Sequence, residues 1–151
     1  MLYLRPATME DSANLLLWRN DPETCANSRN GKPIPPRRHD LWMDINVRYG
    51  FPTRVILMAE TGDNVAIGVV DFAAASPDLM VFDVSITMAP KMRGRGYGQE
   101  ALALGCKRMA AKALKAEIKS ENAASRMIFA RCGFILVREI DGFAQFRKEP
   151  A

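Results

Sequence analysis

The sequence is poor in the residues that metal sites, disulfide frameworks and membrane spans require. Its 151 residues include one histidine and three cysteines, so a histidine-rich metal site is excluded, and the odd cysteine number without ligand spacing argues against a disulfide framework. No apolar run approaches 18 residues, which excludes a transmembrane helix. The first residues, MLYLRPATMED, contain acids where a signal peptide needs an apolar core. We therefore expect one domain, residues 1–151, in a reducing cytoplasm, with no bound metal.

Positive charge is concentrated in the second part of the chain. Residues 1–90 hold 8 Lys and Arg against 11 Asp and Glu, whereas residues 91–151 hold 13 against 6. The net charge of +4 is therefore −3 in the first part and +7 in the second. A basic segment suits an anionic partner, either a nucleic acid or a phosphorylated small molecule. The same distribution is also typical of a solvated basic surface.

Helix and strand patterns alternate along the chain and predict an α/β domain with a mixed (α+β) sheet. Residues 21–36 are rich in Pro, Asn and Gly and predict an irregular loop. The predicted helices cover residues 8–20, 37–48, 98–113 and 122–131. The predicted strands cover residues 2–5, 53–60, 65–72, 79–88, 114–119, 134–138 and 143–147.

The most informative segment is SITMAPKMRGRGYGQEAL, residues 85–102, in which a strand passes through a turn into a helix. Three alternate glycines within residues 93–98 leave backbone N–H groups uncovered at a helix N-terminus, which is a geometry that binds anions. Arg93 and Arg95 add forked donors for phosphate oxygens. The spacing does not match G-x-G-x-x-G, and no Gly-Lys-Ser/Thr triplet follows. The segment therefore predicts a pyrophosphate loop of another type.

The pattern Arg-x-x-Gly-x-Gly between a strand and a helix resembles the acetyl-CoA pyrophosphate loop of the GNAT superfamily of N-acetyltransferases. ENAAS at 121–125 and RCGF at 131–134 are similar to the family's Asn-x-x-Ser helix and Gly-Phe strand start. The matching stretches cover residues 79–138. The resemblance implies a GNAT fold with a mostly antiparallel central sheet, about four helices and a parallel strand pair, 79–88 and 114–119, that splays apart.

The resemblance also implies acetyl-CoA as the co-substrate. Backbone groups of Ile86 and Met88 would pair with the pantetheine arm, and the N–H of Met88 would stabilise the oxyanion. Asn122 and Ser125 would flank the pantetheine and the thioester. The pyrophosphate would be held by Arg93, Gly94, Arg95, Gly96, Tyr97 and Gly98.

The catalytic groups depart from the family pattern at one position. Phe129 lies seven residues after the helix asparagine, where many members have the tyrosine that protonates the sulfur. Phe129 would still line the cofactor, and water or Ser125 would serve as the acid, unless protonation is not limiting. Candidate bases are Glu121, Asp83 and His39. Each also fits a simpler role, the two acids as solvated carboxylates and the histidine as a capping or surface residue.

The N-terminal segments LRPAT at 4–8, WRNDP at 18–22 and HDLW at 39–42 are similar to one GNAT branch. That branch contains ribosomal-protein N-terminal acetyltransferases and the nucleotide-sugar N-acetyltransferases of pseudaminic acid biosynthesis. Residues 25–39 hold four basic residues and no acid, which suits the diphosphate of a nucleotide sugar. A mobile basic loop without a ligand would have the same composition. The candidate substrate residues are Arg19, Asn20, Arg29 and His39.

The sequence as a whole favours an N-acetyltransferase in which a primary amine attacks the thioester directly. We expect a small-molecule acceptor such as a UDP-linked amino sugar and no membrane partner. A homodimer is possible. The alternatives are a ribosomal-protein N-terminal acetyltransferase and an acyl-CoA sensor without turnover. A nucleic-acid interface would use Lys107, Arg108, Lys112 and Lys115 as phosphate contacts, but no stacking aromatic motif accompanies them.

Overall fold

A seven-stranded sheet forms the centre of the computed structural model, which describes residues 1–150. Its order is β1-β2-β3-β4-β5-β7-β6, and every neighbouring pair is antiparallel except β4 and β5. The predicted mixed α/β sheet is therefore confirmed. The strands are β1 (Leu2–Pro6), β2 (Arg54–Thr61), β3 (Ala66–Ala74), β4 (Val81–Met88), β5 (Ala113–Lys119), β6 (Ile135–Ile140) and β7 (Phe143–Lys148).

Five α-helices occur within the described residues, close to the number predicted. The first is preceded by a 3-10 turn, Met9–Asp11, which begins at a capping box formed by Thr8 and Asp11. A second 3-10 turn covers Pro90–Met92, and a π-helical turn covers Asp44–Arg48. The helices are α1 (Ser12–Arg19), α2 (Pro22–Ala26), α3 (Pro36–Met43), α4 (Tyr97–Arg108) and α5 (Ala123–Arg131).

Apolar side chains on the two faces of the sheet form two separate cores, because successive strand residues point to opposite faces. On one face, Val70 and Phe72 of β3 pack with Leu102 of α4 and Phe129 of α5. On the other face, strand residues such as Val69 pack with α1 and α3, whose buried residues are Leu15, Trp18 and Met43. The sheet is thus covered on both sides, and the helices fix the positions of the loops between them.

Two predicted element boundaries were wrong. Residues 21–36 contain the short helix α2, because the Asp21 side chain accepts a hydrogen bond from the Thr24 amide (3.4 Å) and Pro22 occupies the first helical position. Helix α4 ends at Arg108 instead of Ala113, because Ala113 is needed as the strand partner of Val81. Lys112 and Lys115 therefore lie outside the helix that carries Lys107 and Arg108, and the four cations do not form one basic helix face.

Candidate active site

The parallel strands β4 and β5 pair over only three residues each, Val81–Asp83 with Ala113–Lys115. No register pairs join the rest of the two strands, so residues 84–88 and 116–119 border a gap. The predicted splayed parallel pair is therefore present. The gap opens toward the C-terminal ends of both strands, which is where β4 leads into the glycine-containing loop.

The backbone of β4 directs alternate amides into this gap. The Ala89 N–H donates to the Ile67 carbonyl on the neighbouring strand β3 (2.8 Å), and the β3–β4 register runs without a shift. Because N–H groups alternate in direction along a strand, the amides of Met88 and Ile86 point to the opposite edge, toward β5. These amides are available to a ligand that lies between the strands.

The loop after β4 presents a second set of free amides. Gly94 and Gly96 have φ angles of +75° and +83°, which only glycine adopts without strain. Gly96 is the N-cap of α4 and has no side chain to cap it. Within residues 1–150, the amides of Gly94, Arg95 and Gly96 have no hydrogen-bond acceptor. Uncapped amides at the positive end of a helix dipole form an anion-binding site.

The start of α4 packs directly on the splayed end of β4 and on α5. A Cβ added at Gly98 would lie 3.2 Å from Ile128 Cδ1, 3.6 Å from Met88 Cγ and 3.7 Å from Ile86 Cδ1. A side chain at this position would therefore require Ile128 to shift by a few tenths of an ångström. The contact brings the loop, the amides of β4 and helix α5 together at one end of the sheet, as the sequence pattern predicts.

Asn122 forms the N-cap of α5, on the β5 side of the gap. Its Oδ1 accepts a hydrogen bond from the Ser125 amide at 3.2 Å, and its own amide donates to the Lys119 carbonyl at 2.9 Å. The cap fixes the first turn of α5 to the end of β5. Glu121, immediately before the cap, is exposed. Asn122, Ser125 and Glu121 thus lie together at one side of the gap.

The structure separates two other candidates from this region. Asp83 belongs to the paired part of β4, five residues before Met88, which is about 17 Å along an extended strand. A base must act within hydrogen-bond reach or through one water, so Asp83 does not reach a thioester at Met88. Phe129 is 1% exposed and packs in the core against Phe134.

Arg93 is used differently from the prediction that it binds phosphate. Its guanidinium donates to Asp21 Oδ2 at 2.8 Å, Glu23 Oε2 at 2.7 Å and Thr24 Oγ1 at 2.8 Å, all at the start of α2. The hydrogen bond from Arg93 holds the pKa of the Asp21 carboxyl below its usual value. Arg95 is exposed and has no carboxylate partner within the described residues. Of the two arginines in the turn, Arg95 is therefore the one without a carboxylate partner.

A cleft of about 250 Å³ lies on the face of the sheet that carries α1 and α3. Ser85 and Thr87 of β4 line one side, so the cleft adjoins the splayed strand. Its walls include the apolar side chains of Trp18, Ile34 and Trp42. An apolar cleft with a few polar groups is typical of a small-molecule site, and this volume is below that of most drug-sized pockets.

The floor of the cleft carries an ion pair that the sequence analysis missed. Arg54 donates to Asp71 through Nε (2.8 Å) and Nη2 (2.6 Å), and its guanidinium lies 5.3 Å from the Trp42 ring. Burial alone would lower the pKa of Arg54, but the hydrogen bonds to Asp71 raise it overall. A lone acid inside the apolar strand AIGVVDFAA is the sequence signal that could have indicated this pair.

The four predicted substrate residues divide into two groups. Arg19 and His39 line the cleft. His39 is buried, its Nε2 lies 2.9 Å from the Ser12 carbonyl and its ring stacks on Trp42, so a capping or surface role for it was wrong. Among residues 1–150, Arg19 has no carboxylate within salt-bridge distance, and its Nη1 donates to Cys25 Sγ at 3.3 Å.

The other two residues hold the loop that follows α2. Asn20 donates through Nδ2 to the Ile34 carbonyl (2.9 Å) and accepts from the Ile34 amide at Oδ1 (2.7 Å). Arg29 contacts the Glu117 carboxylate and lies 4.5 Å from the centre of the Phe143 ring. Both residues are therefore occupied by protein partners and shape the loop beside the cleft.

The splayed parallel strand pair and the amide-lined turn at a helix N-terminus form a site that suits an extended ligand with a phosphate group, and a small cleft adjoins it. A family model described as "Acetyltransferase (GNAT) domain" matches residues 1–135. The chain therefore belongs to the GNAT acetyltransferase family, and the prediction of an acetyltransferase enzyme is confirmed. No curated protein shows a significant sequence match to the chain.

Solved structures share this fold at low sequence identity. The yncA protein of Salmonella typhimurium, solved with acetyl-CoA, is 18% identical over 99% of this chain and 94% of its own, with a TM-score of 0.77. Spermidine N-acetyltransferase of Vibrio cholerae, in complex with CoA and spermine, is 13% identical (98% and 95% coverage, TM-score 0.85). Aminoglycoside acetyltransferase AAC(6')-Ib, in complex with coenzyme A, is 15% identical (99% and 95%, 0.80).

Three further findings concern the described residues. No helix in residues 1–150 is long and apolar enough to cross a membrane. Nor does this part of the chain bring three His, Cys, Asp or Glu side chains together as metal ligands. Cys25, Cys106 and Cys132 are free thiols, and burial raises the pKa of Cys106 to about 11.

Proposed function

We propose that the protein is an acetyl-CoA-dependent N-acetyltransferase that acts on the primary amine of a small molecule. The observation that carries the proposal is the turn from Gly94 to Gly98, whose free amides lie beside the splayed end of β4. Acetyl-CoA would supply the acetyl group as a thioester. Its pyrophosphate would accept from the loop amides and from Arg95, and its pantetheine arm would pair with the gap-facing amides of Ile86 and Met88.

The reaction then depends on groups at the open end of the gap. The amine in the cleft attacks the thioester carbonyl as the neutral species, and the Met88 N–H stabilises the oxyanion that develops. Glu121, acting through water, is the remaining base candidate on the α5 side. Ser125 or water returns a proton to the departing sulfur, because Phe129 has no hydroxyl to donate.

The charges around the cleft favour an acceptor that carries an anion. Asp71 is the single acid that lines the cleft in the described residues, and Arg54 neutralises it. The surface beyond the cleft carries exposed cations without carboxylate partners in residues 1–150, namely Lys32, Arg37 and Arg38. We propose a UDP-linked amino sugar as the first acceptor to test, with its amine in the cleft and its diphosphate on these cations. Polycationic acceptors and basic protein N-termini would be repelled.

A second candidate function is an acyl-CoA sensor without turnover, and the buried Phe129 is the observation that favours it. Both functions require CoA binding, but only the first releases free CoA.

We also propose that the protein is cytoplasmic, because its three cysteines are free thiols. We further propose that the protein forms a homodimer, because the edge strand β6 exposes Ile135 and Val137 (72% and 60%).

The test is acetyl-CoA turnover, followed as free thiol, with an acceptor panel. The panel contains UDP-linked amino sugars, spermidine, an aminoglycoside and peptides with free N-termini. We expect selective turnover with the UDP sugars. Turnover only with peptides would move the protein to the N-terminal acetyltransferase branch. CoA binding by calorimetry without turnover on any acceptor would support the sensor instead.

A further inference from the structure

Helix α2 bridges the open end of the gap between β4 and β5. At its start, α2 is bonded by Arg93, which follows β4. At its end, the Ala26 carbonyl accepts a hydrogen bond from Lys119 Nζ at 2.6 Å, and Lys119 is the last residue of β5. Because the two strands have already separated at these points, one short helix is tied to both sides of the gap.

Arg93 connects this helix to the phosphate loop over a short path. Its backbone immediately precedes Gly94, the first of the loop residues with free amides. Its guanidinium has three acceptors on α2 and its cap, and one of them, Asp21, also accepts from the Thr24 amide. If a pyrophosphate ordered the loop backbone, the three hydrogen bonds of Arg93 would link that order to α2.

Helix α2 also contacts Arg19, the cation of the cleft that has no carboxylate partner in the described residues. Cys25 of α2 accepts from Arg19 Nη1 at 3.3 Å, and its thiol donates to the Arg19 carbonyl at 3.5 Å. Arg19 lines the cleft and is the last residue of α1, directly after Trp18. The contacts therefore run from the loop through Arg93, α2 and Cys25 to the acceptor side.

We propose that Arg93 is a positioning residue that couples CoA binding at the glycine turn to the placement of α2 and so to the acceptor cleft. The inference rests on the proposed function, since it requires that the loop binds CoA. Coupling between two sites is reciprocal, so an acceptor held in the cleft tightens CoA binding by the same factor. Arg95, two residues further along the turn and exposed, has no hydrogen bond or ion pair with α2 in the described residues and serves as the matched control.

The experiment is hydrogen exchange of the amides in residues 21–30, without CoA and with saturating CoA, together with CoA affinity from calorimetry. We expect CoA to slow exchange in α2 by about fivefold or more in the unmodified protein, the lower end of measured couplings. Arg93→Gln should still bind CoA but lose this slowing. Arg95→Gln should bind CoA more weakly, but at saturating CoA it should still show the slowing of exchange in α2.

A second variant approaches the coupling from the other side. Asp21→Asn combined with Glu23→Gln replaces the two carboxylates that pair with Arg93 by neutral amides and leaves Arg93 in place, so it should reproduce the loss of slowing seen with Arg93→Gln. Circular dichroism confirms that each variant is folded. The inference is overturned if CoA slows α2 exchange equally in Arg93→Gln, or if CoA binds the unmodified protein without any change in α2. Absence of CoA binding to the unmodified protein would instead overturn the proposed function.

Discussion

The ring of Phe129 meets the ring of Phe134 edge to face, with ring centroids 4.9 Å apart and an interplanar angle of 77°. Both residues are buried, and they join α5 to the residue just before β6. Phe129 occupies the position where the family resemblance implies a catalytic tyrosine. Its aromatic ring serves the core here, and the hydroxyl that would reach toward the thioester is missing.

This packing gives a stability prediction. We expect Phe129→Ala to lower the free energy of unfolding by about 3–5 kcal/mol, because it leaves a cavity at a residue that is 1% exposed. Urea denaturation measures the change. The control is Leu17→Ala on the exposed face of α1, which should change the free energy by less than about 0.5 kcal/mol. Equal effects of the two substitutions would contradict the placement of Phe129 in the core.

A kinetic prediction follows for the proton that the sulfur receives. If Ser125 donates it, Ser125→Ala lowers kcat by about 100-fold, the lower end of general-acid effects, and leaves CoA affinity unchanged. We expect Phe129→Tyr not to restore the lost kcat in that variant, because residue 129 is buried in the core. Steady-state kinetics and calorimetry provide the two readouts. An unchanged kcat in Ser125→Ala would assign the proton to water.

The glycine turn offers a matched pair of substitutions. Gly96 and Gly142 both have positive φ, +83° and +81°, and both have open space where a Cβ would lie. We expect Gly96→Ala and Gly142→Ala to lower the free energy of unfolding alike, by about 1–2 kcal/mol. Only Gly96→Ala should weaken CoA binding, by about tenfold or more, because it distorts the amides at the start of α4. Equal CoA affinity in the two variants would exclude the proposed phosphate loop.

A substitution in the Arg54–Asp71 ion pair of the cleft should affect acceptor binding without affecting CoA binding. Asp71→Asn leaves the partly buried Arg54 without its charge partner, and we expect a loss of about 1–3 kcal/mol in the free energy of unfolding. The acceptor KM should rise several-fold while the acetyl-CoA KM stays constant, because the pair lies in the cleft and not in the gap. Asp40→Asn, on the exposed side of α3, is the control. A parallel rise in both KM values would refute this separation.

Asp11 predicts a pH dependence of stability. Burial alone would raise the pKa of Asp11, but hydrogen bonds from Arg5 and Thr8 lower it overall. A carboxyl with a lowered folded pKa contributes stability above its unfolded pKa, about 3.9, and loses it as pH falls through the folded value. We expect Asp11→Asn to be less stable by about 1–2 kcal/mol at pH 7, since Arg5 remains partly exposed. In urea denaturation, that difference should begin to shrink below about pH 4 and be lost once the pH falls below the lowered folded pKa of Asp11.

Most strands and helices were predictable because their signals are local. Apolar alternation indicated β2 and β3, the glycine spacing indicated the turn before α4, and Asn122 indicated the start of α5. The prediction was wrong at residues 21–36, where a five-residue helix lies inside a stretch rich in Pro and Asn. Its cap residue was visible in the sequence, but a helix this short is not stable alone. Contacts with Arg93 and Lys119 hold it.

In the candidate site, too, local features were predictable from the sequence and long-range contacts were not. The amide-lined turn was predictable, because positive φ and uncovered N–H groups are properties of glycines themselves. The partners of Arg93 and the Arg54–Asp71 pair were not, because charge alone does not tell whether an arginine faces a phosphate or a carboxylate of its own chain. Arg93 lies 72 residues from Asp21 along the sequence. Folding brings the two together, and the solvation cost of burying either alone makes the pair form.

By itself, the sequence determined most of the strands and helices, the basic second half, the glycine turn before α4 and the membership in the GNAT family, since each depends on residue types at fixed local spacing. The tertiary structure alone decided which charged side chains remain free for a ligand. Arg95 and Arg19 remain without a carboxylate partner in the described residues, whereas Arg93, Arg54 and Arg29 are paired. Charges pair according to distance in the folded chain, and the sheet sets those distances.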